Sequence, residues 1–109
     1  MHMISFQNQQ IQVQTDEWGS SFTIQGKKQT HRSNLELPAF YTDESGNCHF
    51  LKEESPKIHM LEEKGRTGVR YDYEYFSLEM SVDEELSALH FDVRVTDKKF
   101  AGEIYWPAP

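Results

Sequence analysis

Apolar and polar residues alternate with a period of two along much of the chain. In Leu89–Thr96 every second residue is apolar, beginning with Leu89, and the residues between them are polar or charged. Successive side chains of a strand point to opposite faces, so this stretch predicts a strand with one buried face. Asp97–Lys99 predicts a turn, and Phe100–Trp106 predicts a return strand.

A second alternating stretch changes phase halfway along. Tyr71, Tyr73 and Tyr75 occupy one set of alternate positions, and the apolar set then moves to the other positions from Phe76 onward. We interpret this as one long strand over 71–80 that contains a β-bulge or a bend at the change of phase.

Shorter strands separated by turn signals precede these two. Asn8-Gln9 is typical of a bulge or tight turn, Glu44–Asn47 of a turn, and Glu62–Gly68 of a charged hairpin loop. Ser81–Leu86 is predicted as a loop in which Ser81 and Glu84 fit a capping box for one helical turn at most. The shorter strands are predicted over residues 4–6, 11–13, 22–24, 35–41, 48–52 and 57–61. In total, about eight strands with turn signals roughly every 8–12 residues predict an all-β, antiparallel sandwich or barrel, as a single domain over 1–109.

Composition narrows the class of partner. The 109 residues include 18 acidic and 11 basic residues, which gives a formal net charge of -7. Nucleic-acid backbones and anionic membranes are bound through a surplus of Lys and Arg, so neither is expected as a partner. A single cysteine excludes an internal disulfide, and Met1–Val13 lacks the segments of a secretory signal. These features predict a cytoplasmic protein.

The negative charge is concentrated in one stretch of the sequence. Residues 71–93 sum to -7 and contain no Lys or Arg. The acidic residues of this stretch are Asp72, Glu74, Glu79, Asp83, Glu84, Glu85 and Asp92. Surface charge for solubility is one explanation, and a face that selects a basic partner is the other.

The three tyrosines of the same stretch have two explanations as well. Tyr71, Tyr73 and Tyr75 are predicted to share a strand face, and tyrosine is a frequent anchor of protein interfaces. The alternative is that this face packs in the core, in which case Asp72 and Glu74 point outward. We therefore predict that the seven acidic residues and the three tyrosines bind a partner. Of the two faces, the acidic one is favoured as the exposed face.

Candidate catalytic chemistry is sparse. No two of the five histidines have H-x-H or H-x-x-x-H spacing, and His49 and His59 can meet only across a hairpin. Cys48 has only Lys52 nearby to activate it and is expected to be a half-buried free thiol. Gly65–Gly68 lacks the ending of a phosphate-binding loop, so its glycines are expected to form a hairpin turn. We predict no catalytic residue, no metal site, no cofactor and no enzymatic activity.

The C-terminal third of the chain resembles a known family. Tyr75–Val82, Leu89–Val95 and Phe100–Glu103 look like the closing strands of the WapI-type immunity proteins of bacterial polymorphic-toxin systems. Such proteins bind and block a cognate toxin, often a basic nuclease, and the resemblance implies an acidic binding face. It implies no particular site residue.

The expected function is therefore inhibition by protein binding, with a basic toxin domain as the partner. One alternative is a small-molecule-binding β-barrel or enzyme whose pocket is lined by tyrosines. Another is a phage-type inhibitor that mimics nucleic acid through its acidic surface. A deep pocket holding the three tyrosines favours the small-molecule alternative, and a flat acidic face favours the protein binder.

Overall fold

The computed structural model describes residues 3–33, 39–63, 65–84 and 87–107. The strands are β1 (Ile4–Gln7), β2 (Gln12–Thr15), β3 (Phe22–Gln25), β4 (Thr30–Arg32), β5 (Phe40–Thr42), β6 (Cys48–Phe50), β7 (Lys57–Glu63), β8 (Arg66–Asp72), β9 (Phe76–Asp83), β10 (Leu89–Val95) and β11 (Ile104–Tyr105). A 3-10 helix, Leu51–Glu53, follows β6. Within this part of the chain no helix has the length and apolar character needed to span a bilayer.

The strands form three antiparallel sheets, which confirms the all-β prediction. The N-terminal sheet has the order β1-β2-β3-β4, the central sheet the order β10-β9-β8-β7, and the small sheet the order β11-β5-β6. The strands are more numerous than the sequence pattern indicated, and β4 was not predicted. The first predicted turn is a hairpin loop between β1 and β2, in which the Asn8 side chain accepts the backbone N–H groups of Gln10 and Ile11.

The single long strand predicted over 71–80 is wrong. β8 and β9 are separate strands that pair as a hairpin, with Asp72 opposite Ser77. The backbone N–H of Tyr73 donates to the carbonyl of Phe76 at 2.9 Å and closes the turn between them. The change of phase in the apolar pattern therefore marks a reversal of chain direction, and not a bulge.

The segment after β10 also runs differently from the prediction. Only Ile104–Tyr105 of the predicted return strand forms a strand, and it pairs with β5 in the small sheet. The chain passes β5 so closely that a Cβ on Gly102 would lie 1.5 Å from the carbonyl oxygen of Thr42. A glycine at this position thus permits the C-terminal segment to join the small sheet.

Parts of two predicted loops are strand. In the charged hairpin loop predicted over 62–68, Glu62 and Glu63 belong to β7 and pair with Thr67 and Arg66 of β8, and Gly65 has a positive φ of 82°. Gly68 lies inside β8 instead, where a Cβ would come within 2.0 Å of the Met80 carbonyl oxygen. Ser81–Asp83 belongs to β9, so the proposed helical turn does not begin at Ser81.

Other predicted strands differ from the observed ones at their ends. The predicted strand over 35–41 lies partly outside the described residues, which show β5 from position 40. The strand predicted over 48–52 ends at Phe50, where the 3-10 helix takes over. β7 extends two residues beyond its predicted end at Leu61.

One face of the central sheet packs against the other two sheets. Its members on β9 are Phe76, Leu78, Met80 and Val82, and all four are fully buried. Phe91 of this face contacts Phe22 of the N-terminal sheet with ring centroids 5.3 Å apart, and Phe76 contacts Tyr41 of the small sheet at 5.2 Å. The buried residues of all three sheets form one cluster. The opposite face of the central sheet, its outer face, carries polar and charged residues.

Candidate partner-binding site

Four of the predicted acidic residues lie on the outer face of the central sheet, but they do not lie there alone. Glu79 pairs with Arg70 on one side and with Asp92 on the other. The cationic residues brought to this face by strand pairing are Lys57, Arg66, Arg70 and Arg94, and the acidic ones are Glu63, Asp72, Glu79, Asp83 and Asp92. Side chains directly opposite one another on paired strands share a face, so this surface has mixed charge. The prediction of a strongly acidic strand face is wrong in this respect.

Asp72 is held by three neighbours. Its carboxylate accepts hydrogen bonds from the guanidinium of Arg70 at 3.0 Å and from the hydroxyl of Ser77 at 2.8 Å. It also lies 3.0 Å from Nε2 of His59. Partial burial acts to raise the pKa of Asp72, but the hydrogen bonds from Ser77 and Arg70 outweigh it and hold the pKa below its usual value. A carboxylate so well satisfied has little to gain from a partner.

Asp83, the last residue of β9, also contacts basic side chains. It lies 2.7 Å from Nε2 of His90 and 3.7 Å from Nε of Arg66. Ser81 pairs with His90 across the strands, which assembles the residue types of a hydrolase triad. The Ser81 hydroxyl, however, is buried and has no hydrogen-bond partner within the described residues, so His90 does not activate it.

The remaining predicted acids are separated along the molecule. Glu84 is exposed just after β9, where its backbone N–H donates to the carbonyl of Gly65 at 2.9 Å. Glu74 is exposed on the turn between β8 and β9, at the opposite end of β9. Glu85 lies outside the described residues.

Two of the three predicted tyrosines lie in the core. Tyr71 is 0% exposed and Tyr73 is 8% exposed, so neither side chain is available to a partner. The Tyr71 hydroxyl donates to the carbonyl of Asp16 at 2.7 Å, and the Tyr73 hydroxyl donates to the carbonyl of Trp18 at 2.5 Å. Their polar ends thus hold the loop between β2 and β3, and the predicted partner contact at these two residues is wrong.

The same loop is organised from within by Asp16. Its buried carboxylate accepts the backbone N–H groups of Trp18, Ser20 and Ser21 and the hydroxyl of Ser21. Burial of a carboxylate is tolerated here because the loop supplies these donors. The loop is therefore a structural element that the buried tyrosines hold against the central sheet.

Tyr75 and Glu74 line a cavity at the end of the molecule where the β8–β9 turn lies. The cavity is about 500 Å³ in volume. We call it the acidic–aromatic cavity and define it by Tyr41, Asp43, Glu44, His49, Glu54, Glu74, Tyr75, Asp97, Lys99, Phe100 and Ala101. Its walls come from the small sheet, the β8–β9 turn and the segment after β10. Glu44 and Glu74 are exposed at its rim, and Tyr75 and Phe100 are half-buried in its wall.

Aromatic rings form one side of this cavity. The rings of Tyr75 and Phe100 stack with centroids 6.0 Å apart and an interplanar angle of 21°. Tyr41 meets both rings edge-on, at 6.3 Å from Tyr75 and 6.1 Å from Phe100. The Tyr75 carbonyl accepts the backbone N–H groups of Thr96 and Asp97, which fixes the turn against the segment after β10.

Two carboxylates of this cavity are fixed beside Tyr41. The Tyr41 hydroxyl donates to Oε1 of Glu54 at 2.6 Å, and burial together with this neighbouring carboxylate raises the pKa of Tyr41. Asp43 lies 3.0 Å from Nε2 of His49 and accepts backbone N–H groups of the β5–β6 turn. The hydrogen bond from His49, with that of Asn47, lowers the pKa of Asp43 to about 2. The hydrogen bonds thus hold both carboxylates in position before any partner arrives.

The cavity has a strong excess of negative charge. Five carboxylates, Asp43, Glu44, Glu54, Glu74 and Asp97, line it together with one lysine, Lys99, and one histidine, His49, which is paired with Asp43. Within the described residues no ion pair joins Glu44, Glu74 or Asp97 to a basic side chain. This is the opposite of the outer face, where carboxylates and guanidinium groups alternate.

Sequence reasoning identified only Glu74 and Tyr75 of this cavity. The predicted turn at Glu44–Asn47 is correct and brings Asp43 and His49 together across a hairpin. Glu54 and Asp97 come from two further segments whose proximity depends on the packing of the small sheet. No local pattern in the sequence signals such an assembly.

The histidines and the cysteine do not combine into a further site. His49 lies on β6 beside Asp43, and His59 lies on β7 beside Asp72, so the two histidines belong to different sheets and do not meet. Across the described ranges, no three His, Cys, Asp or Glu side chains converge as a metal-ligand set. Cys48 is a free thiol and is exposed, not half-buried as predicted.

The geometry of the acidic–aromatic cavity carries the functional argument alone. Comparison with protein-family models, with curated proteins and with solved structures found no match to the chain.

Proposed function

We propose that the protein is an immunity-type inhibitor that binds a basic toxin domain in the bacterial cytoplasm. The observation that carries this proposal is the excess of five carboxylates over one lysine around the acidic–aromatic cavity. An uncompensated charge of this kind attracts and orients a partner of opposite charge. The proposed activity is inhibition by binding, without chemistry on the partner.

The proposed contact surface differs from the one predicted from sequence. Of the predicted residues it keeps Glu74 and Tyr75, and it adds Asp43, Glu44 and Asp97 from neighbouring loops. Asp72 and Asp83 already have basic partners in the folded chain, so removing them from water against a new partner gains little. Among the described residues, Glu44, Glu74 and Asp97 form no such ion pair, whereas Asp43 is paired with His49.

A second candidate function has support from the cavity itself. Its volume of about 500 Å³ lies in the range of small-ligand sites, which favours the small-molecule alternative. Tyr75 is the one predicted tyrosine that lines it, because Tyr71 and Tyr73 are buried elsewhere. The nucleic-acid-mimic alternative gains less support, because cations interrupt the acidic outer face.

Co-expression tests the proposal. The genes on either side of the one encoding this chain supply the candidate toxins, and each C-terminal domain is produced with and without this protein. We expect one such domain to arrest bacterial growth, and we expect this protein to relieve the arrest and to bind the domain directly. Arrest that persists despite equal expression, or the absence of any toxic neighbour, contradicts the proposal.

Charge reversal then locates the contact surface. The double variant Glu44→Lys, Glu74→Lys changes two exposed residues at the cavity rim, and Glu84→Lys changes an exposed residue about 25 Å away along β9. We expect the double variant to weaken toxin binding at least about tenfold, mainly through a slower association rate that depends less on salt. Equal weakening by Glu84→Lys places the contact elsewhere.

A further inference from the structure

The acidic–aromatic cavity combines two features that recognise one kind of chemical group. Its rings, Tyr41, Tyr75 and Phe100, present π-electron density, and the carboxylates that line it with them supply negative charge. Organic cations are attracted to the faces of aromatic rings within about 6 Å of the ring centroid. A neutral apolar ligand would leave the carboxylates without compensation, so the cavity is matched to a cation.

Two of the carboxylates are held in place by other side chains of the folded protein. Glu54 is fixed through its hydrogen bond from Tyr41, and Asp43 through His49 and the β5–β6 turn. A guanidinium group can stack on a ring with its face while its edge donates several N–H groups to carboxylates. The ammonium group of lysine is a compact, strongly hydrated point charge and offers no such face.

We propose that the acidic–aromatic cavity receives the guanidinium group of an arginine side chain. The arginine belongs to the basic partner protein, and this part of the inference rests on the proposed function. In the complex, the guanidinium lies against the exposed face of Tyr75 and donates to the carboxylates of Glu54 and Glu74. The cavity thus holds one arginine as an anchor, and the rim carboxylates Glu44 and Asp97 guide the approach of the partner.

The test uses small probes, so it does not depend on the partner. Nα-acetyl-arginine methylamide is titrated into the ¹⁵N-labelled protein, and the neutral isostere Nα-acetyl-citrulline methylamide is the control ligand. We expect the arginine probe to change amide chemical shifts in a saturable way, with a dissociation constant on the order of millimolar, as for one anchoring side chain. The changes in chemical shift should be confined to the amides of residues 41–49, 54, 73–76 and 97–101. The citrulline probe should bind at least tenfold more weakly.

Two variants and a matched control locate the recognition. Tyr75→Leu removes the ring while keeping an apolar side chain, and Glu74→Gln removes one charge without changing its shape. Each should weaken the arginine probe at least threefold, and Glu84→Gln at the far end of β9 should leave its affinity unchanged. Preserved spectra away from the cavity and an unchanged urea midpoint show that a variant is folded.

Several results would overturn the inference. Equal binding of the citrulline and arginine probes would show that charge is not recognised. Shifts centred on the outer face, or none at saturating arginine, would place the anchor elsewhere even if the toxin is inhibited. Tighter binding of tetramethylammonium than of the arginine probe would assign the cavity to a free quaternary ammonium compound. Binding of the arginine probe without inhibition of any neighbouring toxin would support the cation site and contradict the proposed function, so the two failures are distinguishable.

Discussion

Tyr71 and Tyr75 lie four positions apart in the sequence, yet their surroundings have nothing in common. Tyr71 is 0% exposed, and burial raises the pKa of its hydroxyl, which therefore remains a protonated donor to the carbonyl of Asp16. Tyr75 is half-buried beside Phe100 in the wall of a cavity. Alternation along one strand predicted a shared face, and the chain reversal after Tyr73 separates them.

The buried hydroxyl of Tyr71 should contribute measurably to stability. Tyr71→Phe leaves the Asp16 carbonyl without its buried donor, so we expect the free energy of unfolding to fall by about 2 kcal/mol. Urea unfolding followed by circular dichroism measures this change. Tyr105→Phe is the matched control, because its hydroxyl bonds the exposed Glu103 and its loss should cost less than about 0.5 kcal/mol. Equal effects of the two variants would contradict a structural role for the buried hydroxyl.

At the scale of elements, alternation predicted the strands well where a turn carried recognisable residues. The Glu44–Asn47 turn contains Gly46 at a φ of 83°, and the strands on both sides of it are found. The β8–β9 turn instead carries Glu74 and Tyr75, which have no turn preference, and no residue in it has a positive φ. A turn without such residues leaves no signal in the pattern of residue types, so the prediction joined two strands into one.

The candidate site was harder to predict than the strands for a related reason. Its walls come from segments near positions 41–54, 74–75 and 97–101, which meet only because the C-terminal segment pairs with β5. That pairing depends on the close passage of Gly102 over Thr42, a contact set by tertiary packing. Local sequence therefore showed two members of the site, Glu74 and Tyr75, and none of the long-range contacts that complete it.

The β5–β6 hairpin should respond to acid through Asp43. The pKa of this carboxyl falls from its ordinary value of 3.8 to about 2 in the folded chain, chiefly through the hydrogen bond from His49. A lowered folded-state pKa stabilises the protein fully above pH 3.8, and this contribution is lost as the pH falls towards about 2. The difference in unfolding free energy between the wild type and Asp43→Ala should therefore shrink over this interval.

Urea unfolding at pH 6, 4, 3 and 2 measures this difference. Glu44→Ala is the control, because it removes a neighbouring exposed carboxylate from the same turn. A difference between the wild type and Asp43→Ala that is constant down to pH 2 would show that the Asp43 carboxylate is not stabilised by its hydrogen bonds.

At the scale of the whole molecule, strand pairing redistributes the charge of the sequence. The seven negative charges of residues 71–93 form a contiguous block in the chain, but pairing brings arginines from β8 and β10 next to Glu79 and Ser77. The uncompensated charge collects instead around the acidic–aromatic cavity, where loops from different sheets meet. Net charge along the sequence thus predicted an excess of carboxylates, while tertiary structure decided where that excess lies.

The three sheets should unfold together, because the two tryptophans join them. Nε1 of Trp18, in the loop after β2, donates to the carbonyl of Glu54 beside the small sheet at 3.0 Å. Trp106, after β11, donates through Nε1 to the carbonyl of Gly19 at 2.8 Å and packs against Phe91 of the central sheet. Since each indole joins two of the sheets, no sheet can separate from the others without breaking one of these contacts. A domain of this size is expected to unfold in one step.

Tryptophan fluorescence and far-ultraviolet circular dichroism test this coupling in the same urea titration. We expect the two unfolding curves to superimpose. We also expect Trp106→Phe, which removes the hydrogen bond to Gly19, to lower the free energy of unfolding by about 1 kcal/mol. Both curves should then shift to the same lower urea midpoint. If the fluorescence changed at a lower urea concentration than the strand signal, the small sheet would be detaching before the other two. The acidic–aromatic cavity would then open before the fold is lost, because Tyr41 and Tyr75 belong to different sides of that interface.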